Sequence, residues 1–194
     1  MTSYSQYGED KILVELFGSK VGRLLEIGAY HPTTFSNSRA LIEAGWEAVL
    51  IEPSPACMCS LLREYGRNEK IHLICAAVYP EALAQMHVTD DAVSTTETAN
   101  YETWKNAAAF DGQMWAGTIT VPELMNQFGA FDFVSVDTEG TSVPLAISLL
   151  NAGMRPQVLM VEHDGRMVEL MQAAQVHGYR CHNLNGTNAI LVRP

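Results

Sequence analysis

Six short stretches of the chain are almost continuously apolar and rich in aliphatic or β-branched residues, as is typical of strands buried on both faces of a sheet. Stretches with the helical spacing of apolar residues lie between several of them. This alternation predicts an α/β fold with a mostly parallel sheet, right-handed crossovers and helices on both faces. The predicted strands are residues 23–27, 48–51, 71–78, 131–136, 157–161 and 189–192, and the predicted helices are residues 36–44, 55–65, 143–152 and 165–177.

Two parts of the chain depart from this alternation. Residues 179–194 form two extended segments around Asn185-Gly186, which predicts an antiparallel hairpin at the end of the sheet. Residues 80–122 are polar and carry three large aromatic side chains without clear periodicity. We predict an irregular insertion here that covers the substrate as a lid, with a disordered surface loop as the alternative.

Length and charge limit the class of protein. A chain of 194 residues predicts one domain, residues 1–194. The net charge of −10, without a basic cluster, argues against nucleic acid and anionic membranes as partners. Glu9 and Asp10 lie where a signal peptide would carry positive charge, and no apolar run approaches the roughly 18 residues that cross a bilayer, so we expect a cytoplasmic protein. The four cysteines lack the spacing of a zinc site or a disulfide framework.

The ends of the first two predicted strands carry a pattern that favours nucleoside binding. Gly28 follows the first strand and permits close approach of a ligand, with a tight turn that binds nothing as the alternative. Glu52 follows the next strand, about 20 residues on, where an acid can accept both hydroxyls of a ribose. Tyr30, His31 and Pro32 occupy the place of the glycines that hold a pyrophosphate. A ligand with a ribose but no phosphate fits better, and S-adenosylmethionine is the common one.

The ends of two later strands supply candidate catalytic groups. Asp137 and Glu139 follow one strand, where mutual repulsion can raise one pKa and create a base, although Asp137 can also serve as a helix cap. His163 lies between Glu162 and Asp164 after the next strand, and a structural role is the alternative for it. For proton removal from a hydroxyl we favour His163 first and Glu139 second. Asp137, His163 and Asp164 also offer ligands for a divalent metal, which the spacing does not require.

Five motifs occur in order along nearly the whole chain: Ser5-Gln6-Tyr7-Gly8-Glu9-Asp10, Glu26-Ile27-Gly28-Ala29, Gly45-Trp46 leading to Ile51-Glu52-Pro53, Asp137-Thr138-Glu139-Gly140, and Val161-Glu162-His163. Together they resemble class I S-adenosylmethionine-dependent methyltransferases, and most of all the FkbM family. The resemblance implies a seven-stranded Rossmann-like sheet and, usually, O-methylation of a sugar or another small molecule. Where the family often has a further acid after the Asp-x-Glu-Gly motif, this chain has Ser142.

The resemblance also implies roles for individual residues. Gly28 and Ala29 would face the methyl donor, Glu52 its ribose, Ala76 and Ala77 its adenine, and Asp137 its methionine end. The other residues that we assign to the cofactor site are Gln6, Glu26, Tyr30, His31 and Pro53. The predicted function is O-methylation of a small-molecule hydroxyl. The alternatives are a binding domain that has lost catalysis and, disfavoured by the missing glycines, an NAD(P)-dependent oxidoreductase.

Overall fold

The computed structural model of the protein describes residues 3–89 and 92–194. Its helices are α1 (Glu9–Phe17), α2 (Arg39–Glu43), α3 (Pro55–Tyr65), α4 (Thr98–Trp104), α5 (Val121–Phe128), α6 (Ser142–Asn151) and α7 (Met167–Val176). Its strands are β1 (Arg23–Ile27), β2 (Glu47–Ile51), β3 (Ile71–Ile74), β4 (Ala77–Val78), β5 (Leu83–Val88), β6 (Gly112–Ile119), β7 (Phe133–Val136), β8 (Val158–Glu162), β9 (Arg180–Leu184) and β10 (Asn188–Val192).

Seven of these strands form one sheet in the order β3-β2-β1-β7-β8-β10-β9. The pairs are parallel except those of β10, which runs antiparallel to both of its neighbours. Strands β2 and β3 lie on one side of β1, and β7 and the strands after it lie on the other side. The strand order therefore reverses between β1 and β7. In an open α/β sheet, ligands bind outside the carboxyl ends of the strands at such a switch point.

Gly28 lies at this switch point, immediately after β1. Its φ is 83°, and a Cβ built there would overlap the backbone carbonyl oxygen of Asp137. The N–H of Asp137 donates to the carbonyl of Ile27 (2.9 Å), which holds the ends of β1 and β7 together. The close packing of the two strand ends therefore requires a glycine at this position. The exposure of Gly28 to a ligand is a consequence of the same packing.

The core consists of two apolar layers, one on each face of the sheet. Along β1, Leu24 belongs to one layer while Leu25 and Ile27 belong to the other, because side chains alternate across a strand. The alternation repeats in β2, where Leu50 and Ile51 face opposite layers and both are at most 1% exposed. The continuous apolar runs of the sequence thus correspond to strands buried on both faces, as predicted.

Each predicted strand and helix is present with slightly different bounds, apart from one strand. The predicted strand 71–78 is divided: β3 ends at Ile74, and β4 pairs with β6 in a second sheet of order β4-β6-β5. The predicted hairpin at the end of the chain is confirmed as β9 and β10. Helices α1 and α5 were not predicted. Helix α5 begins with a capping box between Thr120 and Glu123, a signal that the sequence carries.

The predicted irregularity of residues 80–122 is wrong. This interval contains β5, α4 and β6, and β5 pairs with β6 over six residues from Leu83 to Val88. Along β5, Ala84 and Met86 are buried while Leu83 and Gln85 are exposed, which is the period of two that marks a half-buried strand. Residues 90 and 91 of the interval lie outside the described residues. Its role as a lid stays a prediction.

The longest described helix, α3, has 11 residues. Within residues 3–89 and 92–194, no helix has both the length and the apolar character needed to cross a bilayer.

Candidate active site

A cavity of about 400 Å³ opens at the carboxyl ends of the parallel strands. Its walls come from the loops after β1, β2, β3, β7 and β8, from the segment before α1, and from the insertion. The structure brings most of the predicted site residues together here. Those that line the cavity are Gln6, Gly28, Tyr30, Glu52, Pro53, Ala76, Ala77, Asp137 and Glu139.

Glu52, the acid predicted to bind a ribose, follows β2 and is only 5% exposed. The backbone N–H of Tyr30 donates to its Oε2 (2.9 Å), and that of Ser54 donates to its Oε1 (2.7 Å). Burial raises the pKa of Glu52 to about 7, although both hydrogen bonds favour the charged form. Each carboxylate oxygen has a second lone pair, so Glu52 can accept further hydrogen bonds from hydroxyls of a ligand.

Tyr30 has a φ of 45°, a conformation that costs free energy for a residue with a large side chain. Its N–H is held by Glu52, and its ring stacks on that of Phe35 with 6.5 Å between centroids. The cavity lining also includes the small apolar side chains of Ala76 and Ala77, which follow β3. A strained backbone residue and a small apolar surface thus both belong to the wall of the cavity.

Three carboxyl groups form an acidic cluster on the other side of the cavity: Asp137 and Glu139 after β7, and Glu162 at the end of β8. Their oxygens lie within 4.8 Å of one another. Burial raises the pKa of Asp137 well above its usual value, and the charges of Glu162 and Glu139 and a hydrogen bond with Glu162 raise it further. Oxygen atoms at this spacing suit a hard divalent cation, and they also suit a proton shared between carboxyl groups.

The metal ligands predicted from the sequence differ from this cluster. The structure groups Asp137 with Glu139 and Glu162, whereas the prediction grouped it with His163 and Asp164. Asp164 lies just outside the cluster, where burial and the charge of Glu162 raise its pKa to about 6.

The insertion docks onto the turn that carries Glu139. Thr95 Oγ1 donates to the backbone carbonyl of Glu139 (2.7 Å), and Asn100 Nδ2 donates to its Oε2 (3.1 Å). Glu139 and Gly140 have φ values of 50° and 102°, so the turn is left-handed at both positions. Because α4 and the loop before it bond to this turn, the insertion helps to orient Glu139 at the cavity.

Ser142, found where the resemblance suggests a further acid, links two parts of the same site. Its side chain is fully buried. Its Oγ accepts from the N–H of Thr138 (2.8 Å) and donates to Glu162 Oε2 (3.2 Å). The hydroxyl therefore positions an acid of the neighbouring strand.

His163 is placed differently from its prediction. Its Nε2 donates to the carbonyl of Asn185 (3.2 Å), and its Nδ1 accepts from the N–H of Gly165 (3.2 Å). Its own N–H donates to the carbonyl of Thr187 (2.9 Å). Both ring nitrogens thus bond to backbone, and His163 is not among the described residues that line the cavity. The predicted role of His163 as the base has no geometric support.

Three predicted cofactor residues also lie off the described lining of the cavity. Glu26, 3% exposed, accepts from the N–H of Asn37 (3.3 Å), and burial raises its pKa to about 7. Ala29, also 3% exposed, packs in one of the apolar layers. His31 Nδ1 accepts from the backbone N–H groups of the two threonines that follow Pro32. These residues shape the loops around the cavity without forming its surface.

Tyr7 and Thr187 line the cavity but were not predicted to be site residues. Tyr7 follows Gln6 in a motif that was identified, so that signal was available. Thr187 directly precedes β10, which is antiparallel and therefore begins at the edge where the parallel strands end. Pattern reasoning that searches only the carboxyl ends of strands misses such a residue.

Comparison with known proteins agrees with this arrangement. The sequence profile described as the methyltransferase FkbM domain matches residues 26–181. The chain belongs to this family. A comparison with curated protein sequences finds no match. The matched FkbM domain includes the strand ends that carry Gly28, Glu52 and the acidic cluster.

Solved structures show the same fold. A ribosomal protein L11 methylase from Lactobacillus delbrueckii subsp. bulgaricus aligns with a TM-score of 0.52 and 10% identity, covering 96% of this chain and 77% of that one. A precorrin-6y C5,15-methyltransferase from Geobacter metallireducens GS-15 aligns with a TM-score of 0.50 and 12% identity, covering 98% and 90%. At these identities the likeness establishes the fold alone. This FkbM domain has the class I methyltransferase fold, which implies S-adenosylmethionine as the cofactor.

Proposed function

We propose that this protein transfers a methyl group from S-adenosylmethionine to a hydroxyl of a small molecule, with a sugar as the favoured acceptor. The proposal rests mainly on one observation: the same cavity is lined by Glu52 and by the acidic cluster of Asp137, Glu139 and Glu162. The family membership supports methyl transfer. The oxidoreductase alternative is disfavoured, because Tyr30 lines the cavity where binding of a pyrophosphate would need a glycine.

The residues of the cavity fit the cofactor by their chemistry. Glu52 offers a buried carboxylate to the two ribose hydroxyls, and Ala76 and Ala77 offer a small apolar surface to the adenine. Asp137 offers negative charge to the cationic methionine end. When bound, S-adenosylmethionine supplies a methyl group that its sulfonium already activates. The remaining task of the protein is to align the acceptor and to take its proton.

The acidic cluster is the proposed proton acceptor. A carboxyl group whose pKa is raised is a stronger base than an ordinary aspartate, and burial and the neighbouring charges raise the pKa of Asp137. Glu139 lines the same cavity and is oriented by the insertion through Thr95 and Asn100. We assign the contact with the acceptor hydroxyl to Glu139, because it lines the cavity and Thr95 and Asn100 hold it there.

A polyhydroxylated acceptor suits the other side chains of the cavity. Ser94 and Thr96 of the insertion bring hydroxyl groups to the lining, and Trp104 of α4 brings an aromatic ring. Aromatic faces pack against the apolar faces of sugar rings, while hydroxyl and carboxylate groups bond to their edges. The insertion would thereby contact the acceptor and act as its cover.

The test is a turnover assay that measures release of S-adenosylhomocysteine across a panel of sugars and small hydroxyl compounds. We expect turnover with at least one member and binding of S-adenosylmethionine, but not NAD, by calorimetry. Glu139→Gln should then lower turnover about 100-fold or more with donor affinity nearly unchanged. His163→Gln, the matched comparison, should lower it much less.

Two results would count against the proposal. Donor binding without turnover on any acceptor would favour a binding domain that has lost catalysis. Equal losses in Glu139→Gln and His163→Gln would remove Glu139 from the role of the base.

A further inference from the structure

Two neighbouring carboxylates at the start of α1 are almost completely buried: Glu9 is 0% and Asp10 is 1% exposed. Asp10 holds the chain just before the helix. Its Oδ1 accepts from the hydroxyls of Ser3 (2.6 Å) and Ser5 (2.8 Å), and its Oδ2 accepts from the N–H of Tyr4 (2.8 Å). Residues 3–5 are therefore tied to the first turn of α1.

Glu9 makes a different set of bonds, which reach the other end of the chain. Its Oε2 accepts from the N–H of Tyr7 (2.9 Å). Its Oε1 accepts from the side-chain amides of Asn185 (2.8 Å) and Asn188 (2.9 Å). Burial raises the pKa of Glu9, but the hydrogen bonds, led by that from Asn188, outweigh it and leave the pKa below its usual value. The buried group is thus stabilised in its charged form by hydrogen bonds from neutral donors.

These donors lie on, or close in sequence to, two segments of the cavity wall. Tyr7 and the preceding Gln6 line the cavity directly. Asn185 and Asn188 belong to the same turn as Thr187, which also lines it. The turn between β9 and β10 is in turn held by His163, which bonds to the carbonyls of Asn185 and Thr187.

We infer that Glu9 is a positioning residue that closes the ligand cavity by fastening Gln6 and Tyr7 to the β9–β10 turn. The inference rests on the proposed function for the identity of the ligand. It also gives His163 a structural role, because His163 holds the same turn through hydrogen bonds to its backbone carbonyls. Gln6 and Tyr7 are exposed and precede α1, so the bonds of Glu9 hold this rim in place. Without them, Gln6 and Tyr7 lose their link to the β9–β10 turn, and the cavity should retain its ligand less well.

The test exchanges the carboxylate of Glu9 and the amide of Asn188, which are hydrogen-bonded to each other. In Glu9→Gln the new amide faces donors that need an acceptor, and in Asn188→Asp two carboxylates meet in a buried space. The double variant Glu9→Gln/Asn188→Asp restores one carboxylate and one amide with their positions exchanged. S-adenosylhomocysteine is the probe, with its Kd measured by calorimetry and the melting temperature of each variant recorded alongside.

We expect each single substitution to raise the Kd about tenfold or more, and the double variant to recover part of this loss. The recovery is partial because the amide of Asn185, which donates to Glu9 in the wild type, faces the new amide at position 9. Asp132→Asn is the control, because Asp132 also accepts a backbone hydrogen bond, from Arg23 (2.9 Å), but at the opposite end of β1. It should lower the melting temperature without changing the Kd. Asn188→Ala, which leaves Glu9 bonded to Tyr7 and Asn185, replaces the single variants if they do not fold, with an expected rise of about threefold.

An unchanged Kd in a folded single variant would overturn the inference, as would a double variant as weak as the single ones. A Kd that rises equally in Asp132→Asn would show that lost stability is the cause. If the wild type itself does not bind S-adenosylhomocysteine, the proposed function fails. Hydrogen exchange at the N–H of Tyr7, which donates to Glu9, then decides the placement: exchange as slow in Glu9→Gln as in the wild type would overturn it.

Discussion

Replacement of Glu52 by Gln is expected to weaken binding of S-adenosylmethionine while leaving the fold in place. The substitution preserves the shape of the side chain but removes its charge and one acceptor oxygen. In the protein, each carboxylate oxygen already accepts one backbone N–H, from Tyr30 or Ser54, and each has a second lone pair that can accept from a ligand. Loss of hydrogen bonds to a charged group costs about 1.5–3 kcal/mol. The Kd should therefore rise about 10- to 150-fold.

The same carboxylate should make donor binding depend on pH. Burial raises the pKa of Glu52 to about 7, so the form that accepts both ribose hydroxyls becomes populated as the pH rises through that value. If only the charged form binds, the apparent Kd is divided by its populated fraction, and it should fall roughly tenfold between pH 6 and pH 8. In Glu52→Gln this component of the pH dependence should disappear.

Calorimetry at pH 6, 7 and 8 measures both effects. Glu26→Gln is the matched control, since Glu26 is equally buried, lies on the neighbouring strand β1, and is not among the described cavity-lining residues. It should change the Kd by less than about twofold. Equal losses in the two variants, or an unchanged Kd in Glu52→Gln, would refute the assignment of Glu52 to the ribose.

Two further predictions concern stability. Glu26 has a pKa of about 7 in the fold, raised by burial from 4.5, so unfolding releases its proton and its contribution to stability is lost as the pH rises from 4.5 through 7. Glu26→Gln should therefore increase the free energy of unfolding by up to about 3 kcal/mol at pH 8, and by much less at pH 5, in urea titrations; an equal gain at both pH values would contradict this cause. Gly28→Ala should destabilise far more than Gly45→Ala in thermal melts, because both glycines have positive φ but only Gly28 packs against the carbonyl of Asp137. Similar melting temperatures for the two variants would show that the strand ends can separate.

Much of the fold could be predicted because the relevant signals are local. The apolar runs in β1, β2, β7 and β8 mark strands buried on both faces, and these positions required no knowledge of their partners. The second sheet was missed because β4 is two residues long and acquires its partner, β6, only after a long intervening segment. Pairing between distant segments of weak periodicity leaves little trace in a sequence window.

The candidate site was also predicted only in part, and for the same reason. Glu52, Asp137 and Glu139 follow strands of a parallel sheet, so their common edge follows from topology alone. His163 also follows such a strand, yet its ring turns towards Asn185 because the β9–β10 turn offers a carbonyl within reach. That contact depends on an antiparallel strand and on the register of its turn. Sequence position therefore predicted which end of the sheet His163 occupies but not which surface its ring meets.

The acidic cluster connects the proposed binding and proton-transfer roles of the site. Burial and the charges of Glu162 and Glu139 raise the pKa of Asp137, which favours its protonated form before a ligand binds. A cationic ligand placed beside these groups lowers that pKa, since an opposite charge favours the ionised carboxylate. Binding of the sulfonium donor should therefore free the cluster to accept a proton, and loss of the positive charge after methyl transfer should allow the proton to remain. This coupling should make the cluster a more effective base once the donor is bound, so an acceptor that arrives before the donor should meet a cluster whose protonated form is more favoured.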